Sequence, residues 1–337
     1  MRVTRELVAK VAGVSTATVS YVLNNSRSVS EEARRKVLEA VKELKYTPDM
    51  IARSMVTNET KQLGIVLNEI INPFYGEIIL GFENAAIEKG YFVNICTGYK
   101  NLDDYFDNFI ARRVDGVFVV AIPYKFHMEK IYNLVDAGIK VVMSGNAEAD
   151  IKKLSSIEND YVDAMHKAVE YLTGLGHRHI AYVSGLGKSQ KFDRKIEGYL
   201  SAVHKWKLPC EDSLLIDGSA PYGTTIEDGY RLANRLIASG KPFTAVVCTN
   251  DMMALGAMNA LKHAGLNVPE DVSVMGFDGI QIGGYWDPSL TTMAVPTVSL
   301  GERAFELLYT NLKKDNTGYF LNKLELIERN STGACKS

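Results

Sequence analysis

Between residues 14 and 24 the chain reads Val14-Ser15-Thr16-Ala17-Thr18-Val19-Ser20-Tyr21-Val22-Leu23-Asn24. Hydroxyls dominate its polar positions, and no acid, lysine or histidine stands among them. Such a set performs no acid–base chemistry, but it exchanges hydrogen bonds with a polar surface. Ser15 can cap a short helix over residues 16–23, whose inner stripe is Val19, Val22 and Leu23. Residues 5–12 read as a preceding amphipathic helix with Leu7, Val8 and Val11 as its apolar stripe, and Gly13 breaks it. Two short helices joined by a glycine-containing turn make a helix-turn-helix. The second helix of such a unit enters the major groove of DNA by its amino-terminal end. Helical spacing turns Thr16, Ala17 and Tyr21 outward as base readers. Ser15, Thr18, Ser20 and Asn24 suit phosphate contacts, which fix position without reading sequence.

Reactive groups elsewhere fail as catalytic sets. Gly187-Lys188-Ser189 ends like a phosphate-binding loop, but Tyr182 stands where the upstream glycine is required. His177-x-His179 lacks the neighbouring acids or further histidines of a metal site. No G-x-S-x-G elbow is present. Cys96, Cys210, Cys248 and Cys335 are far apart in sequence. They signal neither a zinc site nor a disulfide framework, and they fit a reducing compartment. No catalytic residue, metal ligand or cofactor is therefore expected, and the chain does not read as an enzyme. The amino terminus shows no secretory signal, and no apolar run approaches the ~18 residues of a membrane span. A cytoplasmic protein without a membrane partner is expected.

The length of 337 residues allows two or three domains, with 46% hydrophobic and 23% charged residues typical of a globular chain. A net charge of −2 argues, taken whole, against a nucleic-acid binder. Residues 1–59, however, hold ten basic and seven acidic residues, a net +3, against 28 and 33 in the remainder, a net −5. The sum averages a basic head and an acidic body.

In the head, a third helix follows Ser30, with Glu31 and Glu32 in its first turn, where the helix dipole favours acids. Its core stripe is Ala33, Val37, Ala40, Val41 and Leu44. Thr47-Pro48-Asp49 opens a further helical signal reaching Met55, too short to be stable in isolation. From residue 62 short apolar runs alternate with helical stretches. The runs are Leu63–Leu67, Tyr91–Cys96, Gly116–Ala121, Lys140–Met143, His179–Ser184, Ala245–Cys248 and Val272–Gly276. The helical stretches include 75–89, 161–174, 194–204, 227–239 and 252–264. Unbroken apolar runs suit parallel strands buried on both faces, and this order means a doubly wound α/β architecture. The strand–loop–helix of residues 63–89 is echoed at 179–204. That echo predicts two Rossmann-like lobes, with ligands beyond the carboxyl ends of the strands in the cleft between them.

The helix-turn-helix segment resembles the headpiece of the LacI/GalR family of bacterial transcription regulators, as do Val29–Ala40 and Leu44-Lys45-Tyr46-Thr47-Pro48-Asp49. The likeness continues through Leu63-Gly64-Ile65-Val66, Asn72-Pro73-Phe74-Tyr75, Arg113-Val114-Asp115-Gly116 and Leu175–Ala181. It ends with Asn250–Gly256, Val268–Asp278 and Asp287–Thr292. The resemblance implies a three-helix headpiece over 1–45, a hinge linker over 46–59 and a two-lobed, periplasmic-binding-protein-like effector domain. One lobe would span 60–158 and 291–319, the other 159–290 and 320–337.

The resemblance also implies a homodimer on a near-palindromic double-stranded operator, with Thr4 and Ala52 among the DNA contacts. A hinge helix would wedge Met55 into the minor groove, where relatives usually carry Leu. Tyr21 stands where relatives often carry Arg, which reads guanine bidentately as Tyr cannot. The implied effector is a small molecule, most often a carbohydrate, bound by Phe74, Asn250, Asp251 and Asp278. Further effector positions are Lys195, where relatives place Arg, Ser144, where they often have Asp, and Tyr222, the aromatic before Gly229. The short tail after Lys323–Glu328 has no heptad run, which favours a dimer over a tetramer. The alternative, a solute-binding protein of the same two-lobed fold, would need a signal peptide and would lack the first 60 residues. The resemblance thus implies a ligand-responsive repressor.

Overall fold

The computed structural model describes residues 3–24, 27–47, 54, 57, 59–67, 69–98, 102–120, 128–145, 149–186, 194–209, 214–218 and 223–336. The chain divides into two units, Met1–Thr60 and Lys61–Ser337.

The first unit contains α1 (Arg5–Ala12), α2 (Thr16–Asn24) and α3 (Glu31–Glu43). Thr4 caps α1 by accepting the Leu7 amide, and Gly13 ends it at φ 66, a left-handed position that suits glycine. The chain then turns by 102° into the second helix, within the range for a helix-turn-helix. Ser30 caps α3 through the Ala33 amide. Val8, Ala9, Ala12, Val19, Val22, Val37, Ala40 and Tyr46 form the core. This corrects the expected stripe of α1, because Leu7 and Val11 stand exposed. Alanines carry little hydropathy signal, yet Ala9 and Ala12 let α2 and α3 approach α1 closely.

The second unit holds two six-stranded sheets. The first has the order β11-β5-β4-β3-β1-β2. Its strands are β1 (Gln62–Leu67), β2 (Phe92–Thr97), β3 (Gly116–Val120), β4 (Lys140–Ser144), β5 (Ser155–Asn159) and β11 (Tyr319–Asn322). The second has the order β12-β10-β9-β8-β6-β7. It contains β6 (Ile180–Ser184), β7 (Leu215–Asp217), β8 (Ala245–Cys248), β9 (Ser273–Asp278), β10 (Thr291–Ala294) and β12 (Glu325–Ile327). All pairings are parallel except β10 with β12. Strands β1–β5 and β6–β10 thus share one topology, which is the repeat that the sequence echo signals.

Helices α4 (Pro73–Glu88), α5 (Leu102–Arg112), α6 (Met128–Asp136) and α12 (Thr297–Lys314) belong with the first sheet. Helices α7 (Tyr161–Gly174), α8 (Arg194–Lys205), α9 (Ile226–Ala238), α10 (Asp251–His263) and α11 (Gln281–Tyr285) belong with the second. Alternate strand residues feed opposite faces: Ile65, Phe118 and Val142 pack toward α4 and α12, whereas Val66, Val117 and Val141 pack toward α5 and α6. One cluster runs through both lobes, joining Phe82 and Phe118 to Tyr182, Met275 and Phe277.

The lobe crossings differ from the expected boundaries. Thr291–Ala294 pairs with β9 in the second sheet, and Tyr319–Asn322 pairs with β5 in the first. Each crossing therefore falls a few residues later than 290/291 and 319/320. Strands β5, β7, β10 and β11 escaped the apolar-run reading because they are short or polar, as in Thr291-Thr292 and Ser155-Ser156.

Candidate functional site

Two sets of side chains are candidates, one in each unit. In the first unit, the turn before α2 is held by its own hydroxyls. Ser15 Oγ accepts the Thr18 amide at 3.0 Å and lies 2.8 Å from Thr18 Oγ1. Thr16 and Ala17 are exposed at the start of the helix, and Thr18, Ser20 and Tyr21 are half-buried. Arg27 lies over the Tyr21 ring, 5.0 Å from its centroid, a cation–π contact that steadies the phenol. Thr4 caps α1 and remains exposed. Asn24 ends α2. Ala52, Met55 and the hinge signal across residues 48–53 lie outside the described residues.

The second set gathers where the lobes meet. In each sheet the strand order reverses between the first and third strands, which opens a crevice at their carboxyl ends. From the first lobe, Asn72 caps α4 by accepting the Phe74 amide at 3.1 Å, and its side chain holds the Asp278 carboxyl down. Asp278 ends β9 in the second lobe, so this influence crosses the cleft. Lys195 on α8 donates to the Thr249 carbonyl at 2.6 Å. Its ammonium also lies 4.3 Å from the Tyr161 ring centroid and 4.9 Å from that of Phe277. A buried ammonium needs such partners, because water is not there to solvate it.

Asp251 opens α10 completely buried. Its Oδ2 accepts the amides of Gly279 and Ile280, each at 2.8 Å, and its Oδ1 accepts the Thr292 hydroxyl at 2.6 Å. Burial pushes the Asp278 carboxyl up to about 7, with the Glu77 charge adding and Lys195 and Asn72 opposing. Burial and then the neighbouring Asp278 charge push Asp251 up to about 8. The Tyr161 phenol is raised by burial first and by Asp278 second.

The pair has a consequence for stability. An unfolded aspartate binds its proton only below about pH 4. The native pair retains protons into the neutral range, so stability falls as pH rises toward about 8. His177 opposes this only below its unfolded value of about 6.5, because burial lowers its pKa. Between about pH 6.5 and 8 the melting temperature is therefore expected to drop by a few degrees, and Asp278→Asn to flatten that slope. Calorimetry across this window checks it; equal slopes in both proteins would refute the assignment.

Expected effector positions fare differently in this geometry. Asp278 and Lys195 come together. Asn250 and Asp251 adjoin them but are engaged within the second lobe: Asn250 caps α10 through the Met253 amide and donates to the Thr224 carbonyl. Phe74 is buried with Tyr75 edge-on at 5.3 Å, and the Asp251 oxygens are taken by Gly279, Ile280 and Thr292. Ser144 is buried at the carboxyl end of β4. Tyr222 lies outside the described residues. Asn72, Tyr75, Glu77, Tyr161, Thr249 and Phe277 were missed. Asn72-Pro73 as a helix-capping pair was the available signal for the first. His177 holds Thr244 and the Gly333 carbonyl, both at 3.0 Å, a structural role for that histidine.

The "Bacterial regulatory proteins, lacI family" profile matches residues 7–49, and "Periplasmic binding protein-like domain" matches 169–332. The HTH-type transcriptional repressor PurR of Vibrio cholerae serotype O1 (strain M66-2) is 34% identical over 329 residues, 96% of each chain. The chain belongs to the LacI family of bacterial regulatory proteins. PurR of Pasteurella multocida (strain Pm70) is also 34% identical, over 91% of each chain. The lac repressor dimer bound to operator and the anti-inducer ONPF matches this LacI-family chain with a TM-score of 0.86. Identity there is 25%, covering 99% of this chain and 100% of that one. The CelR–cellobiose complex matches with a TM-score of 0.73 and 27% identity over 98% and 100%.

This LacI-family protein is a ligand-responsive, DNA-binding transcriptional regulator. The solute-binding alternative is set aside, since the matched headpiece is the part such a protein lacks. Members of the family are regulators rather than enzymes. Among the described residues no three histidine, cysteine or acidic side chains converge on a metal position, and no single helix is long and apolar enough to cross a membrane.

Proposed function

We propose that this regulator represses transcription from the cytoplasm by binding a two-fold operator as a homodimer. A small carbohydrate effector between the lobes would change its operator affinity. The observation that carries this reading is the cross-lobe cluster of Asn72, Asp278 and Lys195, in a chain that also presents Thr16 and Ala17 at the start of a recognition helix. Planar polar groups beside the rings of Tyr75, Tyr161 and Phe277 suit a sugar, which offers hydroxyls at its rim and C–H groups on its faces. The relatives named for repression, for operator binding and for cellobiose support the same reading.

In this scheme Thr16, Ala17 and Tyr21 read bases, and Ser15, Thr18, Ser20 and Asn24, with Thr4, hold phosphates. Ala52 and Met55 in the 46–59 linker contact the minor groove. A thermal-shift screen against mono- and disaccharides tests the effector. A binder at a hundred times its Kd adds about 2.7 kcal/mol of stability. A broad panel without any binder would overturn the carbohydrate assignment.

The dimer face is assigned to the open edge of the first sheet. Phe92 on β2 is 64% exposed, and Leu80, Ile87 and Ile95 stand beside it on α4 and β2. A bare apolar strand edge is a pairing site that soluble proteins cover. Phe92→Glu is expected to yield a monomer by light scattering and to weaken operator binding about a hundredfold, as loss of a central apolar contact does. A dimer of unchanged mass would contradict the assignment.

A further inference from the structure

Asn159 ends β5 and Asn322 ends β11, and the two stand opposite each other in the first sheet. After each of them the chain leaves that sheet for the second lobe, into α7 at Tyr161 and into β12 at Glu325. Two lobe crossings thus start side by side, and polar groups tie them together. The Asp160 amide donates to the Asn322 carbonyl at 2.9 Å, and Asn322 Nδ2 donates to Asn159 Oδ1 at 3.2 Å. Asn159 Nδ2 in turn donates to the Tyr161 phenol oxygen at 3.1 Å. The Asn159 amide is therefore used at both its oxygen and its nitrogen. The Tyr161 ring centroid lies 4.3 Å from the Lys195 ammonium, and the ring meets that of Phe277 edge-on at 6.5 Å. Lys195 donates to the Thr249 carbonyl at 2.6 Å, and the Thr249 hydroxyl accepts the Gly185 amide at 3.0 Å.

We propose that Asn159 and Asn322 are positioning residues: they clasp the two crossings and couple the lobe hinge to the Lys195 ammonium through the Tyr161 ring. Hinges bend at a few residues that end elements. Here those residues carry side-chain bonds. A change of angle between the crossings must break the Asn322–Asn159 bond or carry the Asn159 amide with it. The amide then moves the phenol, and with it the ring face that steadies the ammonium. Lys195 is only 8% exposed, so it depends on such partners for what water would otherwise supply. Neither asparagine acts on Lys195 directly in this scheme. The inference rests on the carbohydrate reading only for its consequence, that lobe movement alters a group of the effector site.

The test uses the full chain and needs no sugar. Acetic anhydride labels lysine amines, and peptide mass spectrometry reads the rate at Lys195 relative to the exposed Lys314. Asn159→Ala is expected to speed Lys195 labelling about threefold to tenfold, the size of one net hydrogen bond. Tyr161→Phe keeps the ring but removes the oxygen that Asn159 holds, so it should speed labelling by a similar factor. Asn322→Ala frees the Asn159 amide from the far side and should speed it about twofold or more.

A mutant cycle separates the clasp from general stabilisation. Asn322→Ala should have no further effect on Lys195 labelling in the Asn159→Ala background, where the series is already cut. Asn94→Ala serves as the control. It removes two side-chain bonds inside the first sheet, to Gln62 and to the Leu63 carbonyl. It should lower the melting temperature and leave Lys195 labelling unchanged. Additive effects of the two clasp asparagines, unchanged labelling in Tyr161→Phe, or equal speeding in Asn94→Ala would overturn the proposal. Should Asn159→Ala not fold, Asn322→Ala in the Tyr161→Phe background replaces it and must add nothing; an added effect overturns the proposal equally. A carbohydrate screen without a binder would sink the effector reading and leave these labelling results standing.

Discussion

Val19→Asp is expected to abolish operator binding while the larger unit melts as before. Val19 is fully buried in the small core that joins α1, α2 and α3. A unit of this size is stable by only a few kcal/mol. Burying an unpaired carboxylate costs about 4 kcal/mol or more, enough to unfold it. That corresponds to a loss of operator affinity of about a thousandfold or more. The cores of Lys61–Ser337 share no residue with it, so their calorimetric transition should stay in place. A gel-shift titration beside a melting curve reads both halves. Operator binding that survives the change would mean that these three helices do not present the reading face.

The second large effect is expected at the other end of the signal. Asp278→Ala should weaken effector binding by about thirtyfold to several thousandfold, as loss of one member of a buried, hydrogen-bonded charge cluster does. The variant leaves the Lys195 ammonium with the Thr249 carbonyl and two aromatic rings. Calorimetric titration with the sugar found by screening measures this. The variant should still bind operator but no longer answer the effector. Full effector affinity in Asp278→Ala would remove Asp278 from the site.

Much of this architecture is legible in the chain. The strands β1, β3, β4, β6 and β8 are short apolar runs, and being buried on both faces is what makes them readable. The second helix of the headpiece is likewise legible, because Ser15 caps it and Val19 and Val22 mark its inner face. Leu7 and Val11 misled because hydropathy ranks them above Ala9 and Ala12, although small residues are what a close helix crossing needs. Polar strands such as Thr291–Ala294 hide because their hydrogen bonds lie in distant segments: Thr291 with Arg329 and Ser331, and Thr292 with Asp251.

The cleft was legible by motif and less so by geometry. Asn250-Asp251 stands just after β8, and both side chains bond within their own lobe. Phe74 and Tyr75 are adjacent aromatics, and sequence does not say which one the core takes. Tyr161 and Phe277 are distant in sequence, and only the fold brings both against Lys195. The approach of Asn72 to Asp278 depends on the relative placement of two sheets, which no local pattern encodes.

The most direct measurement of the coupling is a pair of titrations. Operator affinity is measured with and without saturating effector, and effector affinity with and without saturating operator. Linkage requires one factor in both, and a two-site regulator of this kind is expected to give about fivefold to 150-fold. An effector that binds the cleft with a factor of one in both directions would contradict effector control of DNA binding.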